Sequence, residues 1–185
     1  MASLVGALAT TMASMSAKLT IGKEKFKQYD TQLKRILDES EKSREAMLSL
    51  MEEDITVYNN VIRTCALPKS NETEKKLRSE AIQNATVIAT EVPLKATMCC
   101  LSILELTHEL ADITNPNLIS DVGVAGILAE AAMQCAKLNV EINLAAIRNQ
   151  SIVEKTQNEL LHAEQKAKTL SREIQEKVRK TIKRV

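Results

Sequence analysis

Only four glycines and three prolines punctuate the 185 residues of this chain, and that scarcity constrains its fold more than any other feature. A sheet needs a turn every few residues, and turns draw on glycine, proline, asparagine and aspartate. A chain this poor in them is expected to run in long helices joined at a few breaks. The breaks stand out at Gly22, at Leu67-Pro68-Lys69-Ser70-Asn71 and at Asn115-Pro116-Asn117.

Apolar spacing between the breaks predicts five to six helices. The first runs from about Ser3 to Thr20, with Gly22 as its end or kink. The second covers Lys25 to Cys65, with Leu33, Ile36, Leu37, Met47, Leu50, Met51, Ile55 and Val61 on one stripe. Asn71 followed by Glu74 reads as a capping box for the third. That helix passes Val87 and Val92, is kinked or interrupted at Pro93, and resumes to Ile113. A fourth spans Ser120 to Ile147. Ser151 with Glu154 reads as a second capping box, opening a last helix striped by Leu160, Ala163, Ala167, Leu170, Ile174 and Val178. The expected architecture is one all-α domain over residues 1–185, a bundle of long, mostly antiparallel helices. Its first and last helices carry more apolar surface than one bundle needs, which predicts a homodimer about a two-fold axis.

Charge and composition exclude other classes. With 25 basic against 24 acidic residues the formal net charge is +1, so no field for nucleic acid is expected. The three aromatics, Phe26, Tyr29 and Tyr58, are too few for a base-stacking platform. The longest apolar runs fall short of the roughly 20 residues of a membrane span. The N-terminal MASLVGALATTMASMSAKLT lacks a basic region before its apolar stretch, so it reads as a buried helix that begins abruptly rather than a signal peptide. Cys65, Cys99, Cys100 and Cys135 have no metal-ligand spacing and read as small buried residues of a reducing, cytoplasmic compartment. His108 and His162 read as surface or packing residues, and no paired pattern predicts a metal. The sequons at Asn71, Asn84 and Asn149 are chance matches in that compartment. The basic end, Lys177 to Arg184, suits a helix C-terminus.

A few polar residues call for a reason. Lys23 and Lys27 lie one α-helical turn apart with Lys25 between them, and read either as a receiver of a carboxylate or phosphate or as a solvated face. Asp121, after Ser120 at a helix start, reads either as a group answering the helix dipole or as an acid/base. Asn139 and Asn143 stand one turn apart among aliphatics. A buried amide without a partner costs about 1–3 kcal/mol, so the pair reads as ligand or interface contacts. Asp121 and Asn139 are 18 residues apart. On a continuous helix that is the same face but a separation of about 27 Å. Either a long ligand bridges them or two copies of the helix meet.

Six ordered blocks then carry a resemblance. Thr20-Ile21-Gly22-Lys23 with Lys25-Phe26, Leu67-Pro68-Lys69, Glu91-Val92-Pro93-Leu94, Asn115-Pro116-Asn117, Ser120-Asp121-Val122-Gly123-Val124-Ala125 and Leu138-Asn139-Val140-Glu141-Ile142-Asn143-Leu144 span nearly the whole chain. Together they resemble the formiminotetrahydrofolate cyclodeaminase / methenyltetrahydrofolate cyclohydrolase family. The resemblance implies an all-helical homodimer acting on a tetrahydrofolate derivative, with or without a polyglutamate tail, with no cofactor beyond that substrate and no metal. It implies one of two reactions at the carbon between N5 and N10. A cyclodeaminase closes 5-formiminotetrahydrofolate to 5,10-methenyltetrahydrofolate and releases ammonia, and a cyclohydrolase opens the methenyl bridge to 10-formyltetrahydrofolate. For that chemistry Asp121 and Lys23 are the catalytic candidates, Asp121 as general acid/base and Lys23 either stabilising charge near the reacting centre or binding the glutamate tail. Asn117, Ser120, Lys27, Asn139 and Asn143 follow as substrate contacts. The alternative is a non-catalytic helical binding or scaffold module of the same descent.

The N-terminus departs from the pattern. Family members begin with about twenty further residues ending in a Pro-Gly-Gly-Gly-Ser loop, which offers backbone N–H groups to an anion. This chain opens at Met1-Ala2-Ser3, so only the serine side of that loop is expected here.

Overall fold

The computed structural model describes residues 1–183, and Arg184, the last basic residue named above, lies outside them. Five α-helices run up and down in turn: α1 (Ala2–Thr20), α2 (Asp30–Cys65), α3 (Glu72–Ile113), α4 (Ile119–Leu144) and α5 (Gln150–Ile182). Short 3-10 helices, Glu24–Tyr29 and Pro116–Leu118, precede α2 and α4. No strand occurs among the described residues.

Cross-helix contacts fix the directions. Arg35 on α2 pairs with Glu109 on α3 and Lys95 pairs with Glu53, so α2 and α3 are antiparallel. Lys137 with Glu164 and Ser171 with Glu130 set α4 against α5 in the same way. His108 and Asp112 near the end of α3 meet Lys177 near the end of α5, so these two run parallel. The core lies where all five helices converge, with Leu33, Ile36, Met47, Ile103, Leu104, Leu110, Met133 and Ile174 fully enclosed. Each such side chain contributes about 1.5–3 kcal/mol on leaving water.

Small residues let the helices approach. A methyl group on Gly123 would stand 3.1 Å from Val178, and one on Gly126 would stand 3.0 Å from Ile174. Glycine at these two places therefore admits α5 against α4 despite its helix penalty of about 1 kcal/mol. On α1, buried hydroxyls satisfy themselves. Thr10 donates to the Ala7 carbonyl and Ser14 to that of Thr10. At its far end Thr20 accepts from the Asn115 backbone N–H at 3.1 Å, and Thr114 lies 2.9 Å from Ser16. That cluster ties the end of α1 to the turn before α4.

Several boundaries differ from expectation. The second helix starts at Asp30 rather than Lys25, because a 3-10 segment takes up Glu24–Tyr29. The Asn71 cap forms, with its side chain accepting from the Glu74 N–H at 2.9 Å, but Glu74 reaches back to Ser70 rather than Asn71. The expected Ser151–Glu154 box does not open α5. Asn149 arrives first, accepts from the N–H groups of Ser151 and Ile152, and is as good a cap as serine.

Pro93 does not interrupt α3, which runs unbroken for 42 residues. Proline leaves the carbonyl four residues earlier, that of Ala89, without its helical donor. The side-chain amide of Asn143 on α4 supplies one, at 3.3 Å. Thr97 in turn donates to the Pro93 carbonyl at 2.9 Å. Asn143→Leu is expected to lower stability by about 1–3 kcal/mol, read as a lower midpoint in urea, since a half-buried carbonyl loses its partner. An unchanged midpoint would show that water replaces the amide at no cost.

Two sequence expectations are corrected here. α3 and the Pro116–Leu144 stretch each hold an 18-residue window apolar enough to cross a membrane by length and composition. Of those windows 50% and 44% is buried inside the bundle, which accounts for their character as core helices. Among the cysteines only Cys100 is buried, Cys99 is half-buried, and Cys65 and Cys135 are exposed. Burial pushes the Cys100 thiol up to about 12, so it stays protonated and inert. His108 lies in a polar network with Glu173 at 2.9 Å and Lys177, and His162 is exposed, as packing and surface residues.

Candidate functional site

The polar residues singled out in the sequence fall at the two ends of α4. At one end, Gly22 adopts a φ of +77°, a conformation that favours glycine, and turns the chain out of α1. Its N–H donates to the Asp30 carboxylate at 3.0 Å, which pins the turn to the start of α2. Lys23 follows as the residue preceding the 3-10 helix, exposed and without an ion pair among the described residues. Lys27 is also exposed but sits inside that 3-10 helix. Four residues at 3.0 per turn rotate a side chain by about 120°, so the expected shared face of Lys23 and Lys27 is not formed.

The start of α4 lies beside this turn, held by the Thr20–Thr114–Asn115 cluster. Asn115 folds its own turn, with its side chain accepting from the Asn117 N–H at 3.1 Å. Asn117 and Ser120 are exposed and Asp121 is half-buried in the first turn of α4. No side chain caps α4, and the Asp121 carboxylate makes no hydrogen bond or ion pair among the described residues. A capping bond therefore does not account for it, although the dipole of α4 still favours a negative charge there.

At the other end, α2, α3 and α4 enclose a cleft of about 400 Å³ lined by Asp54, Ile55, Val57, Tyr58, Val61, Ala89, Pro93, Asn139, Ile142 and Asn143. It adjoins a cavity of about 20 Å³ under the first turn of α1, where Ala2 and Ser3 meet Asp54, Pro93, Ala136 and Asn139. Asp54, Pro93 and Asn139 border both. Small-molecule sites take this form, an apolar concavity of roughly 300–1,000 Å³ with a few convergent polar groups. Asn139 is exposed and its side chain makes no hydrogen bond among the described residues, whereas Asn143 has one amide hydrogen engaged with Ala89.

Sequence reasoning missed Asp54 and Tyr58. Asp54 closes an acidic Glu-Glu-Asp run on a charged helix and looks like solvated surface there. Their four-residue spacing, which puts both on one helical face, is the signal that could have found them. A second concavity of about 380 Å³ between α4 and α5 has Lys137, Glu141 and Glu164 on its rim. Its charges are already paired, with Lys137 at 2.6 Å and Lys168 at 2.8 Å from Glu164, so nothing in it awaits a ligand.

α4 is continuous between the two ends, so the separation of about 27 Å between Asp121 and Asn139 stands within one protomer.

Residues 1–162 match the family model described as Formiminotransferase-cyclodeaminase. The chain belongs to the formiminotransferase-cyclodeaminase family. It is 33% identical over 181 residues to a methenyltetrahydrofolate cyclohydrolase of Methylorubrum extorquens, covering 98% of this chain and 87% of that protein. It is 29% identical over 168 residues to the formimidoyltransferase-cyclodeaminase of Rattus norvegicus, where it covers 91% of this chain and 31% of the relative. The chain thus spans about a third of that longer protein. The solved formiminotetrahydrofolate cyclodeaminase of Thermotoga maritima superposes with a TM-score of 0.87 at 26% identity, covering 98% of this chain and 86% of that one. In this family member all six blocks named in the sequence fall on the turns, on the Pro93 crossing of α3, or on the two ends of α4.

Proposed function

We propose that the protein is a folate one-carbon enzyme acting at the carbon between N5 and N10 of tetrahydrofolate, as a methenyltetrahydrofolate cyclohydrolase or a formiminotetrahydrofolate cyclodeaminase. Near full-length similarity to a named cyclohydrolase carries this reading. The cleft supports it, being of a size to take a pterin.

Both reactions use one site. In the hydrolytic direction water adds to the cationic methenyl carbon and loses a proton, and the C–N5 bond then breaks as N5 takes a proton. In the deaminating reaction N10 attacks the formimino carbon, the N10 proton moves to the departing nitrogen, and ammonia leaves. Each passes through a tetrahedral carbon and moves protons at adjacent atoms, so one positioned acid/base serves both. Asp121 is that group in this reading. Lys23 answers negative charge, either near the reacting carbon or on the glutamate tail. Both reactions balance without a further cofactor, and the four free thiols accord with a reducing cytoplasm.

A homodimer resolves the separation of the two ends. α1 exposes Leu4, Leu8, Met15 and Leu19, and the neighbouring α4 exposes Val124, Ile127, Leu138 and Ile142. Contiguous apolar stripes of this length mark an interaction face. A two-fold axis across their middle would pair each stripe with its own copy in reverse. It would carry the Lys23 and Asp121 end of one copy onto the Asp54 and Asn139 end of the other, and build two shared sites.

The test is a pair of assays on the purified protein. One follows loss of the near-ultraviolet methenyltetrahydrofolate band above its spontaneous hydrolysis, and the other follows its appearance from 5-formiminotetrahydrofolate. Turnover in one names the reaction, and silence in both removes the proposed activity.

A further inference from the structure

The carboxylate of Asp54 has no assigned duty in the fold or in the chemistry above. Its neighbour Glu53 is spent on Lys95 at 3.0 Å, but Asp54 makes no ion pair or hydrogen bond among the described residues. It borders both the cleft and the smaller cavity under α1. Tyr58, one helical turn on, lines the same cleft with 63% of its surface exposed. Ile55 and Ile142 supply apolar walls.

A pterin presents one edge that only certain groups can read. Its N3–H and 2-amino group are two parallel donors, spaced like the fork of a guanidinium. A carboxylate offers two acceptors and takes such a fork bidentately. A carboxamide offers one acceptor and would set its own N–H₂ against the second donor. Asn139 and Asn143 are therefore mismatched to that edge, and Asn143 has already spent a hydrogen on Ala89. They suit the next edge, where N3–H gives way to the 4-oxo acceptor.

Resting on the folate reading of the preceding subsection, we infer that Asp54 is the pterin-recognition residue, accepting from N3–H and the 2-amino group, with Tyr58 covering the ring face. This makes the cleft between α2, α3 and the end of α4 the pterin subsite. Ring-on-ring contact of Tyr58 adds to burial by offset stacking.

Calorimetric binding tests this without requiring turnover. The probes are 5-formyltetrahydrofolate and its 2-desamino-2-methyl analogue, titrated into the full-length wild type and into Asp54→Asn. The wild type is expected to prefer the parent by about tenfold to a hundredfold, the worth of hydrogen bonds to a charged group. Asp54→Asn is expected to lose that factor on the parent and to bind both probes alike, with an unchanged circular-dichroism melt. The assignment is overturned by a wild type indifferent to the 2-amino group, a result that needs no variant. It is equally overturned by a variant that still discriminates, or by a wild type that binds neither probe. Binding with discrimination but no turnover would remove the proposed activity and keep the pterin subsite. Turnover with an unaltered Asp54→Asn would do the reverse.

Discussion

Asp121→Asn is expected to lower kcat by about 10²–10⁴-fold, the usual contribution of a positioned acid/base, while the Michaelis constant changes little. The substitution keeps shape and hydrogen-bonding reach and removes only the ability to carry a proton. Because the carboxylate has no partner among the described residues, no structural bond is lost with it. The thermal midpoint should fall only by the small loss of charge at the start of α4, about 0.3–1 kcal/mol in stability. Progress curves at the methenyl band, with a melting curve on the same preparation, separate the two effects. Full turnover by the variant would take the acid/base role away from Asp121.

In the proposed homodimer neither protomer holds a complete site. Ile127 is 54% exposed near the middle of the α1–α4 face, so Ile127→Glu should leave the monomer folded. It would place a carboxylate against its own copy in an apolar interface, where an unpaired charge is costly. The expected product is a helical monomer by light scattering with turnover reduced to background. A monomer with full activity would sink the shared site.

Complementation sharpens the point. Asp121→Asn and Asp54→Ala disable opposite ends, so a mixed dimer carries one doubly altered site and one intact site. Random reassortment makes half the dimers mixed, and about a quarter of wild-type activity should return at substrate well below the Michaelis constant. If each protomer holds its own site, mixing restores nothing.

Much of this protein is legible without coordinates. The scarcity of glycine and proline, the stripes from Leu33 to Leu50 and from Leu160 to Val178, and the cap at Asn71 all act through neighbours within about one helical turn. Local interactions of that kind leave a readable period. The misplaced features depend on something else. The 3-10 segment before α2 is spanned by the Gly22–Asp30 bond, and the unbroken passage through Pro93 is accompanied by a bond from Asn143, 50 residues away in the chain. No period records a bond between helices.

The candidate site divides in the same way. Asp121, Lys23 and Asn139 attracted notice because their chemistry was out of place in their own surroundings, and the six ordered blocks tied them to a family. Asp54 and Tyr58 did not, because an acid and a tyrosine on a charged helix are ordinary until α2, α3 and α4 come together in the one cleft that both border. By itself the sequence determined an all-helical chain, its breaks, its family and the reaction centre to which that family points. Only the tertiary structure decided that the polar residues divide between the two ends of α4, that Asn143 is partly spent on the backbone, and that Asp54, without a partner among the described residues, borders a cleft. Helix formation is settled by contacts a few residues apart, whereas a cleft is made by side chains that share no neighbourhood in the chain.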